Sequence, residues 1–239
     1  FADLLKRVGD LADANGLLQA DQYQGLSVSD TESAIAEILS VLDVDAIEQA
    51  IQQGLCEAVD FLTPLDDPNF YLGVDVEPGH VVAGLVSERP ETRGSISQAL
   101  ETQRAALIVG PSGAGKSALM WETAYMMRHT VRWFRVRRLA VQDIPALRQL
   151  IRTMRASEAS PIGFVMDDVG RQGPESWTAF LKEIASLPGV LLLGSIREED
   201  IFLVAERARA TEIRADADNE LAERLWLELR DSQNTEWPG

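Results

Sequence analysis

The chain has 239 residues, of which 46% are hydrophobic and 25% charged, and its formal net charge is −16. This is the composition of an ordinary globular protein, long enough for one large domain or two smaller ones. No apolar run approaches the roughly 20 residues of a membrane helix, and strong net acidity opposes non-specific nucleic-acid binding. We therefore expect neither a membrane nor a nucleic acid as direct partner.

The negative charge is concentrated at the front of the chain. Residues 1–100 carry a net charge of −14, whereas residues 101–239 carry −2. Eight arginines and one acidic residue lie between Arg128 and Arg155. This stretch is either an anion- or partner-binding patch or, as we favour, a solvated face paired with the acidic front half. Because the chain begins at Phe1 rather than at methionine, we expect it to be part of a longer protein.

Residues 1–62 are predicted to form a helical N-terminal region. Apolar residues recur at helical spacing after Asp30 and again from Ile47 to Leu62. Cys56 falls in the last of these helices as a small apolar residue, and a lone cysteine fits the reducing cytoplasm. Nothing in this region indicates catalysis, so it is either an effector-recruiting module or a structural spacer.

Residues 63–86 are predicted to form a linker followed by a β-hairpin. The run from Thr63 to Pro68 has the composition of a turn or linker. Two β-rich runs, 71–76 and 81–86, then flank a Pro-Gly turn. His80 lies at this turn and is predicted to be a surface residue. A metal-ligand role is not expected for it, because no second His, Cys or carboxylate keeps metal-ligand spacing with it.

Residues 87–215 have the pattern of an α/β domain. Short apolar runs alternate with helix-length segments, which indicates a parallel sheet covered by helices on both faces, a three-layer arrangement. The predicted strands are Ala106–Val109, Val131–Val136, Ile162–Met166, Val190–Leu193 and Thr211–Arg214.

A phosphate-binding loop follows the first of these strands. Its residues fit the pattern G-x-x-x-x-G-K-[ST] in full: Gly110, Pro111, Ser112, Gly113, Ala114, Gly115, Lys116 and Ser117. Successive backbone N–H groups at a helix N-terminus form an anion site, and glycines leave room for phosphates. Lys116 is expected to reach the β- and γ-phosphates and Ser117 to ligate Mg²⁺, with Ala118 opening a helix that runs to Arg128.

Two further strands end in polar residues. The strand 162–166 is followed by Asp167 and Asp168, and buried strands seldom end in adjacent acids without a cation or hydrogen bonds. We assign Asp167 to magnesium and Asp168 to orienting the attacking water. The next strand leads to Ser195 and Arg197, which can face the γ-phosphate. Alternatively, Arg197 pairs at the surface with the acids of 198–200.

Together, the loop, the paired aspartates and the strand end Gly194-Ser195-Ile196-Arg197 resemble the additional-strand P-loop ATPases. Within that group the chain is most similar to the STAND class, signal-transduction ATPases related to AAA+ proteins. Members of that class carry an Asp-Asp pair and an arginine at the corresponding strand end, where Gly194 here replaces the usual threonine. The resemblance covers about residues 85–230.

The resemblance implies a sheet in the order 5-1-4-3-2 and a helical lid in residues 216–239, whose first helix would cover 219–227. It also implies ATP and Mg²⁺ as cofactors, adenine cradled by Val86 to Ile96, slow ATP hydrolysis, and a switch that couples nucleotide state to self-association and to other domains. Many bacterial members serve immunity or regulation, so a signalling or defence protein is expected.

Two other functions are compatible with the same motifs. One is a P-loop phosphotransferase acting on a small molecule, which needs an arginine-bearing lid, and the only candidate is Arg128–Arg155. The other is a protein that holds nucleotide without turnover because Asp168 does not polarise water. The guanine-reading pattern [NT]-K-x-D is absent from the chain, which favours adenine over guanine.

Overall fold

The computed structural model describes residues 54–137, 140–172, 174–205, 209–216 and 219–233. In these residues the strands of one sheet are β1 (Glu57–Ala58), β2 (Ala105–Gly110), β3 (Arg132–Arg135), β4 (Ile162–Met166), β5 (Val190–Arg197) and β6 (Thr211–Arg214). The helices are α1 (Pro78–Val82), α2 (Pro90–Gln103), α3 (Lys116–Met126), α4 (Ile144–Thr153), α5 (Val169–Gln172), α6 (Pro174–Glu183) and α7 (Asn219–Gln233). Short 3-10 helices cover Phe70–Leu72, Val141–Asp143 and Glu198–Leu203.

The sheet has the order β1-β3-β4-β5-β2-β6. Strands β2 to β6 pair in parallel, whereas β1 pairs antiparallel with β3 at the edge. The order therefore differs from the predicted one, because a sixth strand from the front of the chain covers the edge. Counted from β2, the five parallel strands follow one another across the sheet as 5-1-4-3-2.

Helices cover both faces of the sheet, and the sheet separates the hydrophobic core into two clusters, one on each face. Successive residues of β2 alternate between them: Leu107 packs with α4 and α6 on one face, and Ile108 packs with α2 and α3 on the other. All six residues of β2 are buried. This confirms a mixed α/β domain whose central strands are apolar on both faces. Within the described residues, no helix combines the length and the apolar character needed to cross a membrane.

The predicted helix over 47–62 is wrong in its described part. Gly54 takes a left-handed φ of 69°, which a helix cannot continue through, and residues 57–58 pair with the free edge of β3 instead. Val59 extends this contact, since its N–H donates to the Trp133 carbonyl at 3.0 Å. Cys56 lies just before β1, and burial raises the pKa of its thiol to about 12. The remainder of the predicted helical region, residues 1–53, lies outside the described residues.

The predicted hairpin over 71–86 is also wrong, because its second half starts a short helix. Pro78 occupies the first turn of α1, where a missing N–H costs nothing. The N–H of Glu77 donates to His80 Nδ1 at 3.0 Å, which caps the helix. His80 is therefore buried, 2% exposed, with its ring 5.0 Å from that of Phe70, and is not a surface residue.

The arginine-rich stretch 128–155 spans β3 and α4, and several of its arginines form ion pairs. Arg135 pairs with Glu77, and Arg137 pairs with Glu57 at 2.6 Å, so these two contact the acidic front half as expected. Arg148 pairs instead with Glu183 on α6 at 2.9 Å.

Gly163 in β4 provides a test of the packing beneath the site. A methyl group added there would overlap the ring of Trp133, which is 3% exposed and cannot move aside freely. We expect Gly163→Ala to lower the free energy of unfolding by about 1–3 kcal/mol, measured by chemical denaturation. Gly94→Ala is the control: its new methyl meets nothing within 4 Å in helix α2, and should stabilise by up to about 1 kcal/mol. Equal effects of the two changes would contradict this packing.

Candidate functional site

The predicted site residues gather at one edge of the sheet. Strands β4, β5 and β2 are neighbours and parallel, so their carboxyl ends lie together. The register places Gly110 opposite Arg197, and Met166 opposite Gly194. The residues that follow β2 and β4 therefore meet the last residues of β5.

The glycine-rich loop turns sharply between β2 and α3. Gly113 and Gly115 take left-handed φ values of 81° and 74°. Gly110 lies so close to β6 that a Cβ atom would come 2.7 Å from the Ala215 carbonyl oxygen. Lys116 Nζ folds back and donates to the Pro111 carbonyl at 2.7 Å. The loop is thus a narrow bend that only glycine permits at these points.

Helix α3 begins at Lys116, two residues before the predicted start, and ends at Met126 rather than Arg128. Ser117 and Ala118 consequently lie in its first turn. In the loop itself, Ser112 is exposed and Ala114 is buried beneath the bend. The first-turn N–H groups of a helix lack intrahelical partners, so this end of α3 favours an anion.

One carboxylate oxygen connects the loop to the two neighbouring strands. Asp167 Oδ1 accepts hydrogen bonds from the Ser117 hydroxyl at 3.0 Å, from the Ser195 hydroxyl, and from the Asp168 N–H at 3.0 Å. Ser195 is 1% exposed, and its hydroxyl oxygen also accepts from the Asp168 N–H at 3.0 Å. The predicted residues Ser117, Asp167 and Ser195 are therefore brought into direct contact.

Asp168 lies beside this group and contacts two arginines. Its φ of 48° is left-handed, a conformation that Asp tolerates better than most residues. Its Oδ2 atom lies 3.5 Å from Arg197 Nη2 and 3.4 Å from Arg171 Nε. In this structure Arg197 thus pairs with Asp168 rather than with the acids of 198–200, and Glu198 pairs with Arg214.

The amino group of Lys116 in the loop lies near both carboxylates and other cations. Burial lowers the pKa of Lys116, and the carboxylate of Asp168 is the largest opposing influence. A further cation, Arg89, reaches the loop: its guanidinium lies against Gly115 and occupies the space where a side chain would project.

A pocket of about 380 Å³ lies beside the far half of α3. Its walls come from the segment before α2, from α2 itself, from α3 and from α7. They include Val86, Glu88, Arg93, Glu122, Tyr125 and Arg224. Helix α7 is held there because Arg224 Nη1 donates to the Glu88 carbonyl at 3.0 Å. Tyr71 precedes this segment, and its hydroxyl donates a hydrogen bond to the Leu85 carbonyl at 2.9 Å. Burial is the main cause that raises the pKa of Tyr71 to about 12, and the nearby carboxylate of Glu228 adds to it.

Sequence reasoning missed Arg89, Arg171, and the ion pair between Arg93 and Glu122 that lines the pocket. Arg171 follows Asp168 by three residues, a spacing that brings side chains together on a helix and could have been noticed. Arg89 and Arg93 carry no such signal, because they meet the loop and α3 only through tertiary packing.

No protein-family model matches the sequence, and a search of curated proteins finds no similar one. Solved structures similar to this chain include C. elegans PCH-2 (14% identity, TM-score 0.40, covering 69% of this chain and 49% of that one). A RuvB variant of Thermotoga maritima has 15% identity and a TM-score of 0.43, covering 62% of this chain and 52% of its own. The Walker-type ATPase PABY2304 of Pyrococcus abyssi has 13% identity and a TM-score of 0.40, covering 63% of this chain and 60% of its own. This chain thus spans about half to three fifths of their lengths. At these identities and TM-scores, functional conclusions rest on the geometry of the site itself.

Ser195 provides a test of how the paired acids are held. Ser195→Ala removes a buried hydroxyl that donates to Asp167 and accepts from the Asp168 N–H. We expect the free energy of unfolding to fall by about 1–3 kcal/mol in chemical denaturation. Ser112→Ala removes an exposed hydroxyl from the loop and should change it by less than about 0.5 kcal/mol. Equal stability of the two variants would show that Ser195 does not hold the acids in place.

Proposed function

We propose that this chain binds a magnesium–nucleoside triphosphate, preferably ATP, and hydrolyses it slowly. The observation that carries this proposal is the 3.0 Å hydrogen bond between Ser117 and Asp167, which joins the phosphate loop to the acidic strand end. A bend with unpaired first-turn N–H groups next to a hydroxyl–carboxylate pair suits a polyphosphate with its cation.

The loop residues supply the phosphate contacts in this proposal. The N–H groups from Gly113 to Ser117 surround the phosphates, and Lys116 exchanges the Pro111 carbonyl for their oxygens. The donor set suits magnesium, because Mg²⁺ prefers oxygen ligands and both Ser117 and Asp167 offer one within 3.0 Å of the other. Bound there, the ion would neutralise charge on the phosphates.

Turnover in this proposal depends on Asp168. Its carboxylate would take the proton of the attacking water, as a general base does. Arg197 and Arg171 both contact that carboxylate. A γ-phosphate would compete for Arg197, so Arg197 can report whether that phosphate is present. Competition between these contacts is consistent with slow hydrolysis.

The base is proposed to lie in the pocket beside α3. Its walls include Val86, Glu88 and Arg93, from the segment that the family resemblance assigns to adenine, together with Arg224 of α7. Helix α7 would then act as the first lid helix and sense occupancy directly. On this basis we propose a switch of the STAND type, within a larger signalling or defence protein, that couples nucleotide state to self-association.

The small-molecule kinase has less support. Its only candidate lid, residues 128–155, is occupied by β3 and α4, and Arg135, Arg137 and Arg148 are paired with glutamates. A phosphorylated small-molecule product formed from ATP would reinstate it, whereas release of free phosphate alone counts against it.

Lys116 tests the binding site. Lys116→Ala removes the cation that would contact the phosphates, and we expect ATP affinity in isothermal titration to fall by about a hundredfold or more. Lys182→Ala, which removes an exposed lysine of α6, is the matched control and should leave affinity unchanged. Unaltered affinity in Lys116→Ala would refute the site assignment.

A substitution of Asp168 tests ATP hydrolysis separately from ATP binding. Asp168→Asn keeps the size of the side chain but removes the base, so phosphate release should fall by about a hundredfold or more. ATP affinity should stay within about threefold of the unaltered chain. If neither protein releases phosphate above background, the chain binds nucleotide without turnover.

A further inference from the structure

The carboxylate of Asp168 faces the site with only one of its two oxygens. Oδ1 is buried and has no hydrogen-bond partner among the residues that the structure describes. The side chain as a whole is 29% exposed, so its accessible part lies on the side of Oδ2. A general base must come within hydrogen-bond reach of the water whose proton it takes. Oδ2 is therefore the oxygen that would take this proton.

Two guanidinium groups already lie beside that oxygen. Arg171 Nε is 3.4 Å from Asp168 Oδ2, and Arg197 Nη2 is 3.5 Å from the same atom. They occupy positions around Oδ2 that a water molecule would otherwise use. A proton transferred to Oδ2 would also cost the attraction of both ion pairs. In this arrangement Asp168 is therefore held in a resting state.

The two arginines differ in their position relative to the phosphate loop. Arg197 is the last residue of β5, and the sheet register pairs it with Gly110, the first residue of the loop. Its side chain is 27% exposed, whereas that of Arg171, in α5, is 67% exposed. A γ-phosphate bound at the loop would compete for Arg197, which adjoins it. The pair between Arg171 and Asp168 lies on the outer side and would remain.

The local backbone brings Arg171 back to Asp168. The Arg171 N–H donates to the Asp168 carbonyl at 2.9 Å, which closes a turn after the left-handed Asp168. Gly170, inside this turn, packs against the 3-10 helix over 198–203. A methyl group at Gly170 would come 2.7 Å from Asp200 Cβ. Within the described ranges of the chain, Asp168 is the only acid that pairs with Arg171.

We propose that Arg171 is a positioning residue that restrains Asp168 after the triphosphate has bound and thereby sets the slow rate of hydrolysis. This inference rests on the proposed function, since it concerns the general base of the same reaction. In that reaction the water oxygen bonds to the γ-phosphorus, the bond to the bridging oxygen breaks so that ADP leaves, and Asp168 Oδ2 takes a water proton. Arg171 acts through Asp168 and does not need to contact the nucleotide.

Steady-state hydrolysis by Arg171→Ala tests this restraint. We expect kcat to rise by about twofold to fivefold, because a partly exposed ion pair changes an equilibrium by up to about that factor. KM should not change, since the phosphate loop is untouched. Arg171→Lys keeps the positive charge and should restore most of the unaltered rate. Arg152→Ala is the matched control: it removes an exposed arginine of α4 and should change neither parameter.

A double variant tests whether Arg171 acts through the carboxylate of Asp168. In an Asp168→Asn background the carboxylate is absent, so Arg171→Ala should no longer raise the rate, measured in single turnovers with the protein in excess over ATP. An increase of the same size in that background would overturn the action through Asp168.

The remaining outcomes separate this inference from the proposed function. An unchanged or lower kcat in folded Arg171→Ala protein would overturn the inference alone, because the unaltered chain would still hydrolyse ATP. If both proteins bind ATP and neither releases phosphate, the inference fails together with the proposed hydrolysis, and the proposed binding stands. Failure of the unaltered chain to bind ATP would overturn the proposed function as a whole.

Discussion

The candidate site depends on one carboxylate oxygen that accepts hydrogen bonds from three donors. Asp167 Oδ1 accepts from Ser117 at the start of α3, from Ser195 in β5, and from the N–H of Asp168. These groups come from the first turn of α3, from β5 and from the residue that follows Asp167 beyond β4. A charged acceptor makes hydrogen bonds about twice as strong as a neutral one. The phosphate loop and the paired acids are therefore fixed relative to one another by a single residue.

The sheet makes this convergence possible. Parallel strands bring their carboxyl ends to one edge. The last residue of β2, Gly110, lies opposite the last residue of β5, Arg197, and β4 ends opposite Gly194, three residues earlier. Both faces of β2 are covered, with α2 and α3 on one side and α4 and α6 on the other. A rigid, doubly covered sheet can therefore position short side chains such as those of Ser117 and Ser195 closely enough to share an acceptor.

The segment before α2 connects distant parts of the domain. Near its start, β1 pairs with β3, and further on it packs against α7 through the Arg224–Glu88 contact and lines the pocket. In the proposed switch, a base in that pocket would contact this segment, α3 and α7 at once. Because α7 forms one wall of the pocket, the proposed switch would need the nucleotide to favour one arrangement of this helix over another.

The sequence by itself determined the α/β class, the positions of the parallel strands, the glycine-rich loop between a strand and a helix, and the acidic strand end, because each depends on local periodicity or on residues consecutive in the chain. It did not predict β1, because pairing with the edge of β3 is a tertiary contact. It also did not predict the helix at 78–82 or the burial of His80 against the ring of Phe70, because tertiary packing overrides local β-propensity there. Only the tertiary structure placed Arg89 at the loop, Arg197 on Asp168, and Arg93 on Glu122. Such contacts join residues far apart in sequence, and no spacing rule encodes them.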